Sequence, residues 1–196
     1  MGEVYRLAEL KDAERLLDIT YRAYETIREL GLHWPAATAD LALIKDNIAT
    51  NECYVLEIDG SVEATITLSR GEEIKALTEL PFVKWFAVNP DARGKRYGGK
   101  LLDWVEENVI LGKLGAAAVT LATAEKHPWL VPMYERRGYE RILELDPQNG
   151  DGIMYLMRKS LSVNQLLFKG AKNDEEDDPA GIWTIADTGD CGLRHE

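Results

Sequence analysis

The stretch of sequence that decides the fold is Val88-Asn-Pro-Asp-Ala-Arg-Gly-Lys-Arg-Tyr-Gly-Gly99. It is basic and glycine-bearing, and it separates an apolar run that ends at Val88 from an amphipathic run over residues 100–111. At a junction between a strand and a helix, glycines let the backbone approach a ligand closely, and the free N–H groups of the first helical turn point at any anion placed there. The stretch therefore predicts a loop that cradles phosphate groups.

Three other interpretations of this loop are open to a test by its spacing. A dinucleotide fingerprint requires three spaced glycines and an acidic residue about 20 positions later, and a nucleoside-triphosphate loop requires Gly-Lys followed by Ser or Thr. Neither spacing is present in the loop. A plain solvated turn that uses Asn89-Pro90-Asp91 and Gly98-Gly99 without any ligand stays open from the loop alone.

Length and composition restrict the class of protein. The chain has 196 residues, of which 45% are hydrophobic, which is enough for one sizeable core and short for two. No apolar run approaches the roughly 20 residues of a membrane span, and the first residues lack a secretory signal pattern. We therefore expect a soluble, cytoplasmic protein with no membrane contact. Cys53 and Cys191 have no metal-ligand spacing, so we expect neither a metal site nor a disulfide framework.

The formal net charge of -11 argues against nucleic acid as a partner, because nonspecific affinity for nucleic acid comes largely from cations that neutralise phosphates. Part of this charge is local, since from Leu161 onward there are three Lys or Arg and eight Asp or Glu. The preceding residues are only moderately acidic. Such a charge accommodates a cationic substrate more easily than an anionic one.

The order of the predicted elements is that of an α/β domain. Apolar patterns predict seven strands, at Glu3–Leu7 and at residues 53–58, 62–68, 81–88, 116–122, 139–144 and 153–158. Helical spacing predicts helices from Asp12 to Gly31, from Thr38 through Ile48, over 100–111 and over 128–137. Asp59-Gly60 predicts a hairpin, and the last two strands are expected to be antiparallel.

The loop and its surroundings resemble the coenzyme A loop of the GNAT superfamily of N-acetyltransferases. The resemblance is carried by Val88-x-Pro90-x-x-Arg93-Gly94-x-x-x-Gly98, followed by Lys100-Leu101-Leu102. The family signature is Gln or Arg, two residues, Gly, one residue, then Gly or Ala. Arg93 and Gly98 match its ends, whereas Arg96 replaces its middle glycine. The guanidinium either crowds the pyrophosphate or adds a charge-assisted contact to it, and we favour the contact because a planar fork pairs well with phosphate oxygens.

The resemblance implies the GNAT acyl-CoA acyltransferase fold, an α/β fold with a mixed, mostly antiparallel central sheet flanked by helices. It implies a GNAT acetyltransferase domain over residues 1–160 and leaves residues 161–196 as an acidic C-terminal extension of unknown role. The extension combines an acidic run at 173–178 with the apolar residues Ile182, Trp183 and Ile185. It can cover the substrate cleft, pair with a second subunit or patch the surface.

A second segment, Met133-Tyr134-Glu135-Arg136-Arg137-Gly138-Tyr139, resembles the family's Leu-Tyr-Glu-Lys-x-Gly-Phe. The resemblance implies that Tyr134 lies near the coenzyme A sulfur and acts as the general acid that protonates the leaving thiolate. The alternative is an amphipathic tyrosine packed on the inner face of its helix.

Seven residues before Tyr134, the family commonly has an asparagine that contacts the pantetheine arm, and here that position is His127. A neutral imidazole can donate to a pantetheine amide, whereas a lone histidine before a proline is otherwise a turn residue. The resemblance also implies that residues 85–88 splay from residues 119–122, so that main-chain groups bind pantetheine and the thioester carbonyl. The cofactor-binding residues implied in this way are Phe86, Ala87, Val88, Arg93, Gly94, Lys95, Arg96, Tyr97, Gly98, Gly99 and His127.

The acceptor site is less clearly marked than the cofactor site. Attack on the thioester needs a neutral amine and hence a base, and the candidate carboxylates are Glu25, Glu63 and Glu79. The family's substrate loops fall at His33 and Trp34 and around Asp151, where an aromatic wall beside a carboxylate would suit a cationic amine. Glu25, His33 and Trp34 are the predicted substrate residues.

The sequence thus predicts a cytoplasmic N-acetyltransferase that transfers the acetyl group of acetyl-CoA to a primary amine of a small molecule by direct attack. Tyr134 is the predicted catalytic residue, and a homodimer is one arrangement open to the chain. One alternative is a catalytically degenerate module that binds CoA or a protein partner, which the residues at Arg96 and His127 favour. The other is an acetyltransferase that acts on protein amino groups.

Overall fold

The computed structural model describes residues 2–69 and 71–162. Nearly all of the predicted extension over 161–196 lies outside these residues, and the domain boundary at residue 160 stays a prediction. Within the described ranges, none of the helices combines the length and the hydropathy that a membrane span requires.

In this part of the chain, seven strands form two antiparallel sheets. The first sheet has the order β1-β2-β3-β4, with β1 at Glu3–Leu7, β2 at Glu52–Ile58, β3 at Ser61–Leu68 and β4 at Val83–Val88. The second has the order β5-β7-β6, with β5 at Ala118–Ala124, β6 at Glu140–Leu145 and β7 at Met154–Ser160. The hairpin predicted at Asp59-Gly60 and the antiparallel pairing of the last two strands are both present.

Helices flank both sheets. They are α1 at Ala13–Ala23, α2 at Glu25–Glu29, α3 at Leu41–Thr50, α4 at Glu72–Lys75, α5 at Tyr97–Trp104 and α6 at Leu130–Arg136. α5 continues without interruption as a π-helical segment, Val105–Lys113. Single 3₁₀ turns lie at Leu10–Asp12, Pro35–Thr38 and Pro90–Ala92.

The first sheet is covered on both faces. On one face α1 packs with α3, and Asn47 of α3 donates to the Thr67 hydroxyl at 2.9 Å. Thr67 is paired with Cys53, and because successive side chains alternate between faces, the neighbouring Tyr54 points the other way. There its ring lies 5.7 Å from that of Trp104 of α5. β3 and β4 are therefore buried, with α1 and α5 on opposite sides.

The helix predicted from Asp12 to Gly31 is in fact two helices, so that prediction is wrong in its continuity. α1 ends at Ala23, and Tyr24 leaves the helical conformation with φ -92° and ψ 14° before α2 begins. The Tyr24 ring is fully buried and packs edge-on against Trp34, with ring centroids 6.4 Å apart. The break coincides with this aromatic contact, which the helical spacing of the apolar residues does not reveal.

The predicted cap of the next helix is also wrong. Thr38 is the last residue of the 3₁₀ turn that Pro35 begins, and proline favours such a first position because its φ is already fixed. Asp40 is the N-cap instead, and its carboxylate accepts the Leu43 N–H at 2.8 Å.

Candidate active site

The two sheets diverge between β4 and β5. Among the described residues, one parallel bridge between Phe82 and Thr120 joins these strands, and the Thr120 N–H donates to the Pro81 carbonyl at 2.8 Å. Beyond it, β4 continues along β3 and β5 along β7. Because the bridge lies near the start of both strands, they open toward their carboxyl ends. The splay predicted between residues 85–88 and 119–122 is thus present, and we call this opening the cleft.

A β-bulge in β4 lies where the cleft begins. The register between β3 and β4 shifts between Thr65 and Thr67, opposite Trp85 and Phe86. Trp85 is buried and has a φ of 51°, a left-handed conformation that a bulky residue rarely adopts and that costs about 1–3 kcal/mol. Bulges bend the strand that carries them, so this one bends β4 beside the cleft.

Residues 89–96, which we call the cofactor loop, connect the end of β4 to the start of α5. The first intrahelical hydrogen bond of α5 is donated by the Lys100 N–H to the Arg96 carbonyl at 3.0 Å. The N–H groups of Tyr97, Gly98 and Gly99 therefore have no carbonyl within the helix to bond, as at any helix start. They form a set of donors, supported by the helix dipole, that suits a pyrophosphate.

Arg96 stands where the resembled signature has its middle glycine. It precedes α5 with φ 58° and ψ 20°, in the left-handed region that glycine adopts freely. The side chains of Arg93, Lys95 and Arg96 are exposed, whereas Lys100 forms an ion pair with Glu3 of β1. Arg96 therefore strains the backbone at this position, but its side chain is exposed and does not fill the loop.

Tyr134 lies on α6 and is fully buried. Its ring packs edge-on against Tyr139, with centroids 5.5 Å apart and planes inclined by 67°. The Tyr139 N–H donates to the Tyr134 carbonyl at 3.0 Å, which closes the end of the helix. The position of the predicted general acid is therefore fixed by main-chain and ring contacts with Tyr139.

Tyr139 is in turn held by a buried ionic cluster that consists of Glu106, Tyr139 and Lys159. Glu106, in the π-helical segment, accepts the Tyr139 hydroxyl at 2.7 Å and the Lys159 ammonium of β7 at 2.5 Å. Burial and the Glu106 carboxylate raise the pKa of Tyr139, so its hydroxyl remains a donor. This cluster connects the helix of the cofactor loop, the second sheet and the residue that packs on Tyr134.

This cluster was not predicted, although the sequence carries a signal of it. Glu106 shares one helical face with Leu102, Val109 and Ile110, all of which are buried. A single carboxylate on an apolar face requires a buried partner. The partner itself could not be read from the sequence, because Lys159 is distant along the chain.

His127 lies in the connection from β5 to α6 and is 2% exposed. Neither ring nitrogen has a hydrogen-bond partner, and the ring packs edge-on against Trp129 with centroids 4.5 Å apart. Burial lowers the pKa of His127 to about 4, so the imidazole is neutral at pH 7. It can therefore donate one hydrogen bond and accept another, which fits the polar amides of a pantetheine arm.

His33 contacts Asp151, which joins the two segments predicted to lie on the acceptor side. The buried Asp151 carboxylate accepts the His33 main-chain N–H at 2.9 Å, and His33 Nδ1 lies 2.7 Å from the same oxygen. Asn149 Nδ2 donates to the second oxygen at 3.2 Å. Both oxygens are engaged within the protein, which argues against the predicted use of this carboxylate for a cationic amine. Trp34 is 1% exposed.

The three candidate bases differ in exposure and in their hydrogen-bond partners. Glu25 and Glu79 have exposed side chains, on α2 and before β4. Glu63 instead accepts Asn89 Nδ2 at 2.7 Å and pairs with Arg15 at 3.5 Å, so it fixes the start of the cofactor loop. In the described part of the chain, no three His, Cys, Asp or Glu side chains are grouped to hold a metal ion.

Comparisons with known proteins identify the family. The sequence pattern of the acetyltransferase (GNAT) domain matches residues 49–141. S-(2-succino)cysteine N-acetyltransferase of Bacillus subtilis is 48% identical over 157 residues, which are 79% of this chain and 94% of that protein. S-alkylcysteine N-acetyltransferase of the same organism is 42% identical over 154 residues, 78% of this chain and 86% of that protein.

A solved structure shows the same fold at low identity. PaiA N-acetyltransferase of Thermoplasma acidophilum, in complex with coenzyme A, has a TM-score of 0.58 and 15% identity over 82% of this chain and 99% of that one. The chain belongs to the GNAT family and is an N-acetyltransferase. The predicted family, fold class and enzyme class are thereby confirmed.

Proposed function

We propose that the cleft binds acetyl-CoA and that the enzyme transfers its acetyl group to the α-amine of an S-substituted cysteine. Three features that follow one another along the chain support acetyl-CoA as the acyl donor. β4 opens away from β5, the cofactor loop follows β4 directly, and the first turn of α5 presents donors without helical partners. A thioester with a long polar arm and a pyrophosphate matches this order of groups.

Several residues are proposed to hold acetyl-CoA. The N–H groups of the loop and of the first turn of α5 bind the pyrophosphate, with the exposed cations of the loop around it. The neutral His127 bonds the pantetheine arm, which would satisfy its two buried nitrogens. Main-chain groups of β4 bind the arm and the acyl carbonyl. The residues of β4 and the loop in these roles are Phe86, Ala87, Val88, Arg93, Gly94, Lys95, Arg96, Tyr97, Gly98 and Gly99.

The proposed reaction is a direct transfer. The substrate ammonium first loses a proton to solvent, and the neutral amine attacks the thioester carbonyl to form the C–N bond. As the tetrahedral intermediate collapses, the nitrogen gives a second proton to solvent, the C–S bond breaks and the sulfur leaves with the electron pair. The Tyr134 hydroxyl supplies the proton to that sulfur, and solvent reprotonates the tyrosine. The contacts that fix Tyr134 on α6 support this role, because an acid must be held within hydrogen-bond reach of the leaving group.

The acceptor class is proposed from the relatives. Two proteins that align with most of this chain are named for N-acetylation of S-(2-succino)cysteine and S-alkylcysteine. Both names share a cysteine whose sulfur carries a substituent and whose α-amine is acetylated. The common part of the two substrates is therefore the best-supported acceptor for this chain.

A kinetic comparison of acceptors tests the proposal. Release of the CoA thiol from acetyl-CoA is followed with S-(2-succino)cysteine, S-methylcysteine, N-acetyl-S-methylcysteine as the blocked control, and a peptide with free amino-terminal and lysine amines. We expect the highest kcat/KM for an S-substituted cysteine and no turnover of the blocked control. Faster turnover of the peptide would instead support protein amino groups as acceptors. Binding of acetyl-CoA without turnover of any acceptor would support the degenerate module.

A further inference from the structure

Buried polar atoms without a hydrogen-bond partner gather on segments around the end of β5. In the described part of the chain they include Trp34 Nε1, Thr123 Oγ1, both nitrogens of His127 and Trp129 Nε1. An unsatisfied buried donor or acceptor costs about 1–3 kcal/mol, so native structures keep few of them. Buried groups of this kind are satisfied by ordered water or by a ligand, and several in one region mark it as a candidate binding site.

Hydrogen bonds bring these segments together into one rim. Asp151 accepts two hydrogen bonds from His33, the residue before Trp34. The turn that contains Asp151 is held to the end of β5, because Lys126 Nζ donates to the Gly150 carbonyl at 2.7 Å and the Glu125 N–H to the Ile153 carbonyl at 2.9 Å. We call the loop of His33 and Trp34, the turn at 149–153 and residues 125–127 the acceptor rim.

Trp34 is the member of this rim that the proposed cofactor contacts do not use. Its indole is 1% exposed, and its ring is fixed edge-on against the buried Tyr24. The indole nitrogen can only donate a hydrogen bond, so the missing partner is an acceptor. A carboxylate oxygen is the strongest acceptor that an amino-acid substrate offers.

We propose that the Trp34 indole N–H donates to the α-carboxylate of the acceptor and so selects amino acids over simple amines. The inference rests on the proposed function, because both named substrates of the relatives share this carboxylate and differ in the sulfur substituent. His33 and Asp151 are positioning residues, since their hydrogen bonds fix the loop that carries Trp34. The site thus binds the anionic α-carboxylate with the neutral indole N–H of Trp34, which is shielded from water.

The first test uses the wild-type enzyme and two acceptors that differ by one group. S-methylcysteine carries the α-carboxylate, and 2-(methylthio)ethylamine lacks it while keeping the amine and the thioether. A hydrogen bond to a charged group predicts a kcat/KM about 10- to 100-fold higher for S-methylcysteine. Equal values for the two acceptors would overturn the inference while leaving the proposed function intact. Turnover of neither acceptor, nor of S-(2-succino)cysteine, would refute the proposed function itself.

The second test removes the donor from the protein. Trp34→Phe keeps an aromatic ring against Tyr24 but has no N–H, and it should lower kcat/KM for S-methylcysteine by about 10- to 100-fold. Its kcat/KM for 2-(methylthio)ethylamine and its KM for acetyl-CoA should not change. Trp104→Phe is the matched control, because Trp104 stacks on Tyr5 on the other face of the first sheet. An equal loss with both acceptors would show a packing defect and contradict the inference.

Discussion

Replacing Lys159 by methionine tests whether the buried ionic cluster holds the second sheet to the helix of the cofactor loop. The variant removes the ammonium that lies 2.5 Å from Glu106 Oε2 and leaves the carboxylate with the neutral Tyr139 hydroxyl. Glu106 is 1% exposed, so water cannot replace the lost partner. Breaking a buried ion pair from one side costs about 3–5 kcal/mol. In a domain of this size, that loss lowers Tm by about 6–20 °C.

The free energy of unfolding is measured by urea titration followed by circular dichroism. Lys75→Met is the control, because its ion pair with Glu72 is exposed, and it should lose less than about 1 kcal/mol. The double variant Lys159→Met/Glu106→Leu should recover most of the loss, because no buried charge remains unpaired. A loss below about 1 kcal/mol for Lys159→Met would refute the reasoning, since it would mean that Glu106 is solvated.

Four further variants test the site. Tyr134→Phe should lower kcat by about 100- to 10,000-fold with little change in the Kd of acetyl-CoA. An unchanged kcat would mean that this tyrosine has only a packing role. Gly98→Glu should abolish acetyl-CoA binding in calorimetry, since a carboxylate would meet the pyrophosphate; unchanged affinity would contradict the cradle. His127→Asn should bind acetyl-CoA and abolish one pH dependence of stability. In the wild type, burial lowers the pKa of His127 from 6.5 to about 4. Its contribution to the free energy of unfolding is therefore present above pH 6.5, and up to about 3 kcal/mol is lost as pH falls toward 4. If the urea midpoints of the wild type and the variant change equally between pH 6.5 and pH 4, the lowered pKa is contradicted. Arg96→Gly should change the free energy of unfolding by less than about 1 kcal/mol, because relief of left-handed strain is offset by chain entropy, and a Kd for acetyl-CoA that does not rise would argue against a phosphate contact.

The sequence predicted the fold wherever local chemistry sets the structure. β1 was placed at its observed bounds, the hairpin followed from Asp59-Gly60, and the loop between β4 and α5 was located by its glycines and its flanking runs. These features depend on neighbours along the chain, such as alternating burial, turn residues and helix starts. The break of the first helix at Tyr24 was not predicted, because it coincides with packing against Trp34 in a later loop.

The sequence indicated which residues could form the candidate site, but it could not indicate the hydrogen-bond partners of those residues. His33, Trp34 and Asp151 were placed near one another, but the sequence could not show that Asp151 is engaged by His33 while the Trp34 N–H has no partner. The cluster of Glu106 and Lys159 likewise joins residues distant in sequence. Such contacts arise from the tertiary arrangement, whereas spacing along the chain records only neighbours on one helix or strand.

The most direct test of the central claim is the identification of the product. The purified enzyme is incubated with isotope-labelled acetyl-CoA and S-(2-succino)cysteine, and the product is analysed by mass spectrometry and NMR. The account predicts a labelled acetyl group in amide linkage to the cysteine α-nitrogen, formed together with free CoA. Absence of this product, with the enzyme folded and acetyl-CoA bound, would contradict it.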